Sequence, residues 1–251
     1  MNLLRAEWTK ARTVRSTWWS LGVATVLCVG LAVLLGLSWR NNQDRIATGW
    51  DAVRNGFLSL TLGQIALVVF GVLLASAEYS TGTIRASLAA VPARGRFLAA
   101  KLGVSALVAA VVSAVLVLGT FVAAQTSMAE FGVSFGDPGV PRAVVGAWLY
   151  LTLLCVFAAA LGMMLRSTAA TLGILIPVLF LNSQGLGYAP GVREVAQYLP
   201  DQAGVVLMQA TEPDAGLFAR SYGFGGALAI LLAWCAAATG GAYLLLRRRD
   251  A

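Results

Sequence analysis

Six stretches of the chain, 16–39, 55–77, 102–129, 143–165, 167–192 and 221–246, each run for more than 20 residues without a charged side chain. This feature constrains the fold most, because a bilayer core of about 30 Å is crossed by roughly 20 apolar helical residues. The windows are continuously apolar and rich in Ala, Leu and Gly. Barrel strands instead alternate apolar and polar residues over about ten positions. A helical bundle follows, with spans expected at 18–39, 57–77, 102–124, 144–165, 168–186 and 224–246. Of the 251 residues, 59% are hydrophobic and 12% charged, against roughly a quarter charged in soluble domains. Water is therefore excluded as the solvent for most of this surface. The first apolar run follows basic residues, as in a signal peptide, but it is too long and ends near Ser38, Trp39 and Arg40 without a small-residue cleavage site. A retained first span is expected.

The few charges sort by side. With both termini in the cytoplasm, the inner segments hold Arg5, Lys10, Arg12, Arg15, Arg85, Arg94, Arg96, Lys101, Arg166, Arg247, Arg248 and Arg249, or 12 of the 18 basic residues. Of the 11 acidic residues only Glu7, Glu78 and Asp250 fall inside. This is the positive-inside distribution, and it explains the net charge of +7 as a topology signal. The basic residues are spread over four short segments, which excludes a nucleic-acid-binding domain as the cause. Cys28, Cys155 and Cys235 each fall in mid-span and are expected to behave as small buried hydrophobes. Their spacing matches no disulfide framework or zinc motif.

Several chemistries are excluded by the letters. A Walker A loop needs Gly-x4-Gly-Lys-Ser/Thr, yet Lys10 precedes Ala11 and Lys101 precedes Leu102, and these are the two lysines of the chain. Gly132-Val133-Ser134-Phe135-Gly136 has the spacing of a nucleophile elbow. A serine of that kind requires a histidine base, and the chain has no histidine. That stretch is expected to be an external loop ending at Asp137-Pro138-Gly139. No catalytic or metal-ligating set emerges, and no cofactor is expected on this chain. Proton-coupled carriers place ionisable groups inside the membrane, whereas the six spans carry none. Sodium coupling through hydroxyls and carbonyls stays open.

Three non-membrane segments remain. In 1–15, Leu3, Leu4, Trp8, Ala11 and Val14 share one helical stripe while Arg5, Lys10 and Arg12 lie mostly off it, with Glu7 and Arg15 interrupting the pattern. An interfacial helix on the cytoplasmic leaflet is expected, in contact with lipid. The loop 78–101 contains Ser80 or Thr81 as a helix cap, an apolar face of Ile84, Leu88 and Val91, and Pro92 as a stop. This short amphipathic helix is expected to have nothing in its own chain to cover it. The external segment 188–220 holds an apolar face of Val192, Val195 or Ala196, and Leu199 before Pro200, then a second run, 203–208, too short to cross. Polar residues in the spans, Gln64, Thr152, Asn182, Ser183 and Gln184, are candidates for a translocation path or for interhelical hydrogen bonds. Pro177 is expected to kink the fifth span below the last three.

The run Glu78-Tyr79-Ser80-Thr81-Gly82-Thr83-Ile84-Arg85, then Val91-Pro92, Arg94, Arg96 and Lys101, resembles the loop after the second span in bacterial ABC transporter permeases of the type-2 exporter class (ABC-2). Glu7-Trp8-Thr9-Lys10 with Arg12, Arg15, Ser16, Thr17 and Trp18 is similar to the N-terminus of those permeases, and the length and six-span layout agree over the whole chain. The resemblance implies a single all-α polytopic domain with cytoplasmic termini, in which 78–101 contains a coupling helix. The residues implied in ATPase coupling are Glu78, Ser80, Gly82, Thr83, Ile84, Arg85 and Leu88, with Glu78 capping the second span. It further implies a separate ABC ATP-binding subunit that carries ATP and Mg, a second permease chain in a two-plus-two assembly, and a bacterial inner-membrane location. In 188–220 it implies two short helices that dip into the outer leaflet and close the exit; a cap without gating is the alternative. The expected function is export of an amphipathic substrate such as a drug, lipid, peptide or antibiotic. The alternative is a membrane scaffold or assembly factor that uses the same loop to recruit a partner.

Overall fold

In a computed structural model, residues 2–13, 15–42, 50–91, 93–183, 191–211 and 220–248 are described. The apolar windows become long helices because hydrocarbon offers no partner for backbone N–H and C=O groups, which must bond within the helix. In chain order the helices are α1 (Asn2–Thr13), α2 (Arg15–Asn41), α3 (Ala52–Gly56), α4 (Leu60–Ser80), α5 (Ile84–Ala90), α6 (Arg94–Met128), α7 (Val140–Leu165), α8 (Thr168–Ser183), α9 (Arg193–Ala196), α10 (Pro200–Leu207) and α11 (Phe224–Arg248). Single 3-10 turns join α3 to α4 and extend α6. No strand occurs among the described residues. The loop before α7 is where it was expected, tied by the Ser134 amide donating to Asp137 Oδ2 at 2.7 Å.

Five segments are long and apolar enough to cross a membrane: Trp18–Asn41, Ala52–Ser80, Arg94–Phe131, Val140–Leu165 and Phe224–Arg248. The expected fifth span is represented by α8, whose 16 residues extend about 24 Å at 1.5 Å per residue, less than a bilayer core. Its continuation through 186 lies outside the described residues. Pro177 sits within α8.

Helix α7 is the centre of the bundle and packs against α4, α6 and α11, while α2 lies along α6. Close approach at the α4–α7 crossing depends on small residues: a Cβ on Gly71 would stand 2.5 Å from the Cys155 carbonyl oxygen. Ala75, Ala158 and Ala159 are buried nearby, the small-residue packing that lets membrane helices touch backbone to backbone. All three cysteines are free and buried, as expected.

Two features differ from the sequence expectation. Helix α6 begins at Arg94, so Lys101 lies inside a helix and the true connection between α4 and α6 is shorter than 78–101. Neither Gly95 nor the charges stop that helix, because Lys101 finds its counter-ions within the fold. The second difference is in α5. Its apolar face is not left uncovered: Ile84 is 5% exposed and belongs to the core, and Leu88 and Val91 pack partly against it. The bundle covers this stripe itself: after the turn at Thr81–Thr83, Ile84 enters the core and Leu88 and Val91 rest at its edge.

Candidate functional site: a buried charge cluster beneath an exposed turn

Four charged side chains meet where α1, the end of α4 and the first turns of α6 converge. Glu7 and Lys101 are each 1% exposed, and Glu78 is buried as well. Lys10 Nζ stands 2.7 Å from Glu7 Oε1 and 2.7 Å from Glu78 Oε1. Lys101 Nζ stands 2.8 Å from Glu78 Oε1 and 3.3 Å from Glu7 Oε2. It also donates to the Leu74 carbonyl at 3.3 Å and lies 5.3 Å from the Phe97 ring centroid. Each carboxylate thus bridges both ammonium groups, and the set is neutral. Charges this deep are tolerated only when paired and hydrogen-bonded. Burial alone would lower the Lys10 ammonium, but hydrogen bonds to Glu7 and Glu78 outweigh that and hold its pKa above the usual value.

The cluster corrects one expectation and explains another. Glu78 does not cap α4; its carboxylate joins that helix to α1 and α6. Glu7, which interrupts the apolar stripe of α1, attaches that helix to Lys101 of α6, and Lys10 attaches it to Glu78 of α4, while Leu4 and Trp8 are exposed beside them. The sequence carries a signal for this: Glu7 lies four residues from both Leu3 and Ala11, in the middle of the stripe. An acid there calls for a buried cation, and Lys101, at the start of an apolar run, is the candidate.

Directly beyond Glu78 the chain turns. Ser80 and Thr81 donate their hydroxyls back to the Ala77 carbonyl at 2.9 and 3.0 Å, so neither caps α5. Thr83 occupies that cap position without a side-chain capping bond, its hydroxyl meeting that of Thr81 at 2.9 Å instead. Gly82 has φ +71°, a conformation natural for glycine and strained for other residues. Thr81, Gly82, Thr83 and Arg85 are exposed, with Ile84 turned inward. Of the coupling residues named from sequence, Gly82, Thr83 and Arg85 face outward and Ser80 is exposed at the helix end. Ile84, Leu88 and Glu78 secure the turn to the bundle.

The candidate path residues are not gathered in one place among the described residues. Gln64 is buried and accepts a 2.6 Å hydrogen bond from the Tyr150 hydroxyl. Thr152 shares a 2.9 Å bond with Ser113 across α6 and α7. Asn182 and Ser183 lie at the end of α8, and Gln184 lies outside the described residues. A second polar assembly, not anticipated from sequence, surrounds the short helices. Within 188–220 the described residues hold α9 and α10, and α10 packs against α7, α8 and α11. Gln202 bonds Asp201 at 3.0 Å and accepts from Arg220. Asp51 Oδ2 accepts from the amides of Ala210 and Thr211 at 2.8 and 3.0 Å and from the Thr211 hydroxyl at 3.1 Å. The segment after α10 is thereby tied to the start of α3.

Residues 3–183 match the sequence profile of a family described as ABC-2 family transporter protein. No curated protein matches the chain.

Proposed function

The chain belongs to the ABC-2 transporter family of multi-pass membrane permeases, and on that premise we propose that it is the transmembrane subunit of an ATP-driven bacterial exporter. The observation that carries this reading is the exposed turn Thr81–Arg85, rooted in the buried cluster of Glu7, Lys10, Glu78 and Lys101. A force applied by a partner at Gly82, Thr83 and Arg85 would reach α1, α4 and α6 together, because the three helices are joined by ion pairs on two buried carboxylates, Glu7 and Glu78. Ser80 borders that contact, while Ile84 and Leu88 keep α5 seated so that a push moves the bundle instead of peeling the loop.

The energy source is a separate ABC ATPase that binds ATP and Mg. Both lysines of this chain are engaged with carboxylates, which supports placing the nucleotide site on that partner. Two permease chains and two ATPase chains form the unit, in the inner membrane, with termini and the α5 turn on the cytoplasmic side and α1 lying on the inner leaflet. The substrate is amphipathic, and Gln64, Thr152, Asn182, Ser183 and Gln184 contribute to its route. The two bundle states differ in affinity for the ATPase conformations, and that difference drives transport.

The test is reconstitution of the full chain with its ATPase subunit in vesicles. Nucleotide-dependent movement of an amphipathic dye is expected. Arg85→Glu should abolish it with the melting temperature unchanged, since exposed substitutions typically alter stability by under about 0.5 kcal/mol. Association without nucleotide-dependent movement would identify a scaffold instead, and unaltered transport after substitution of Gly82–Arg85 would remove the coupling role.

A further inference from the structure

Between the first turn of α6 and the last turn of α11 lies a recess lined by Ala93, Arg94, Gly95, Arg96, Tyr243 and Arg247. Arg94 forms its wall: the guanidinium donates to the carbonyls of Leu246 and Arg247 and so caps the end of α11. The Arg247 guanidinium stands 5.6 Å from the Tyr243 ring centroid. Arg96 and Arg247 are both exposed. Among the described residues no carboxylate forms an ion pair with either of them. Gly95 keeps the recess open, since a Cβ there would already stand 3.2 Å from Tyr243. The positive end of the α6 dipole adds to the attraction for an anion.

The neighbouring surface decides what kind of anion suits it. One face of α11, Ala227, Leu231, Cys235, Ala238, Ala242 and Leu246, is buried. Elsewhere on the helix Leu232, Trp234, Tyr243 and Leu244 are exposed, and an apolar helix surface of this kind is covered by acyl chains. A molecule with a phosphate at the recess and a hydrocarbon tail along Leu244 satisfies both. Basic pockets between membrane helices are suited to such headgroups.

We propose that this recess binds the phosphodiester of an anionic phospholipid, with Arg96 and Arg247 as its charge partners and Tyr243 at the edge where the glycerol leaves toward the bilayer. A zwitterionic lipid would bring its own cation against the arginines and bind more weakly. The leaflet, the cytoplasmic one, rests on the orientation proposed above; the headgroup chemistry does not.

Native mass spectrometry of the detergent-purified full chain tests it, with phosphatidylglycerol, phosphatidylcholine and inorganic phosphate as probes. Phosphatidylglycerol should be retained in preference to phosphatidylcholine. Since each basic residue near an anionic surface contributes about fivefold, Arg96→Gln with Arg247→Gln should weaken retention about thirtyfold, and Arg96→Lys with Arg247→Lys much less. Gly95→Leu should also reduce it, by filling the recess with the charges intact. Thermal unfolding of each variant verifies folding. Equal retention of the two lipids, displacement by equimolar inorganic phosphate, or full retention by the glutamine pair would overturn the proposal. So would loss of ATPase-subunit binding in that pair with phosphatidylglycerol binding unchanged, which would make the recess a protein contact. Transport assays do not enter this readout, so its failure leaves the exporter function standing.

Discussion

Lys101 is the residue with the most at stake in this fold. It is one of two cations holding two buried carboxylates, and the other, Lys10, is partly open to solvent. Removing one partner of a buried pair leaves an uncompensated charge at a cost of about 3–5 kcal/mol. Lys101→Met should therefore lower the melting temperature in detergent sharply. Adding Glu78→Gln, which leaves the neutral pair Glu7–Lys10, should recover most of the loss. Two uncharged pairs differ in scale. Tyr150→Phe strands the buried oxygen of Gln64, a loss of about 1–3 kcal/mol. Ser113→Ala removes a half-buried interhelical bond to Thr152 of the kind worth about 0.6 kcal/mol on average. The ratio of the two shifts, read by denaturant titration, checks whether burial or bond count decides. Glu7 was legible in sequence only as a flaw in a stripe; its partner is 94 residues away, and no local pattern joins them.

At the scale of elements, the short helix α10 is held by a close approach. A Cβ on Gly204 would stand 2.4 Å from the ring of Tyr150, and that ring is fully buried and bonded to Gln64, so it has no room to move. Gly204→Ala should displace α10 from α7, and amide exchange in Pro200–Leu207 should accelerate while α4 and α7 stay protected. Asp51→Ala, which removes the acceptor for Ala210 and Thr211, should release the chain just after α10. The long helices were legible because a charge-free apolar run has no other stable form in hydrocarbon, but run length does not set where a helix ends: α6 begins at Arg94, ahead of its charge-free window. The covered face of α5 was not: periodicity identified Ile84, Leu88 and Val91 as one stripe but carries no information on whether a neighbour in the chain or another protein covers it.

For the whole molecule the question is which way the ends face. Ser76, in α4, bonds Thr168 at the start of α8 at 2.6 Å, and Arg94, at the start of α6, caps the end of α11, so these termini gather with the charge cluster. The Asp51 tie to Ala210 and Thr211 joins the α3 start to the segment after α10. Single cysteines introduced at Arg85 and at Phe135 in a background lacking Cys28, Cys155 and Cys235 should label from opposite sides in intact cells, with Phe135 reached by an impermeant maleimide. Labelling of both from outside would refute the proposed orientation. The sequence by itself determined that the chain is helical and membrane-embedded, because long charge-free runs have no other stable form in hydrocarbon, and its loop carried the family resemblance. Only the tertiary structure decided which charges meet and which apolar faces are already covered. Those facts depend on residues far apart in the chain, brought together by the crossing of α4, α6 and α7, and local spacing does not encode them.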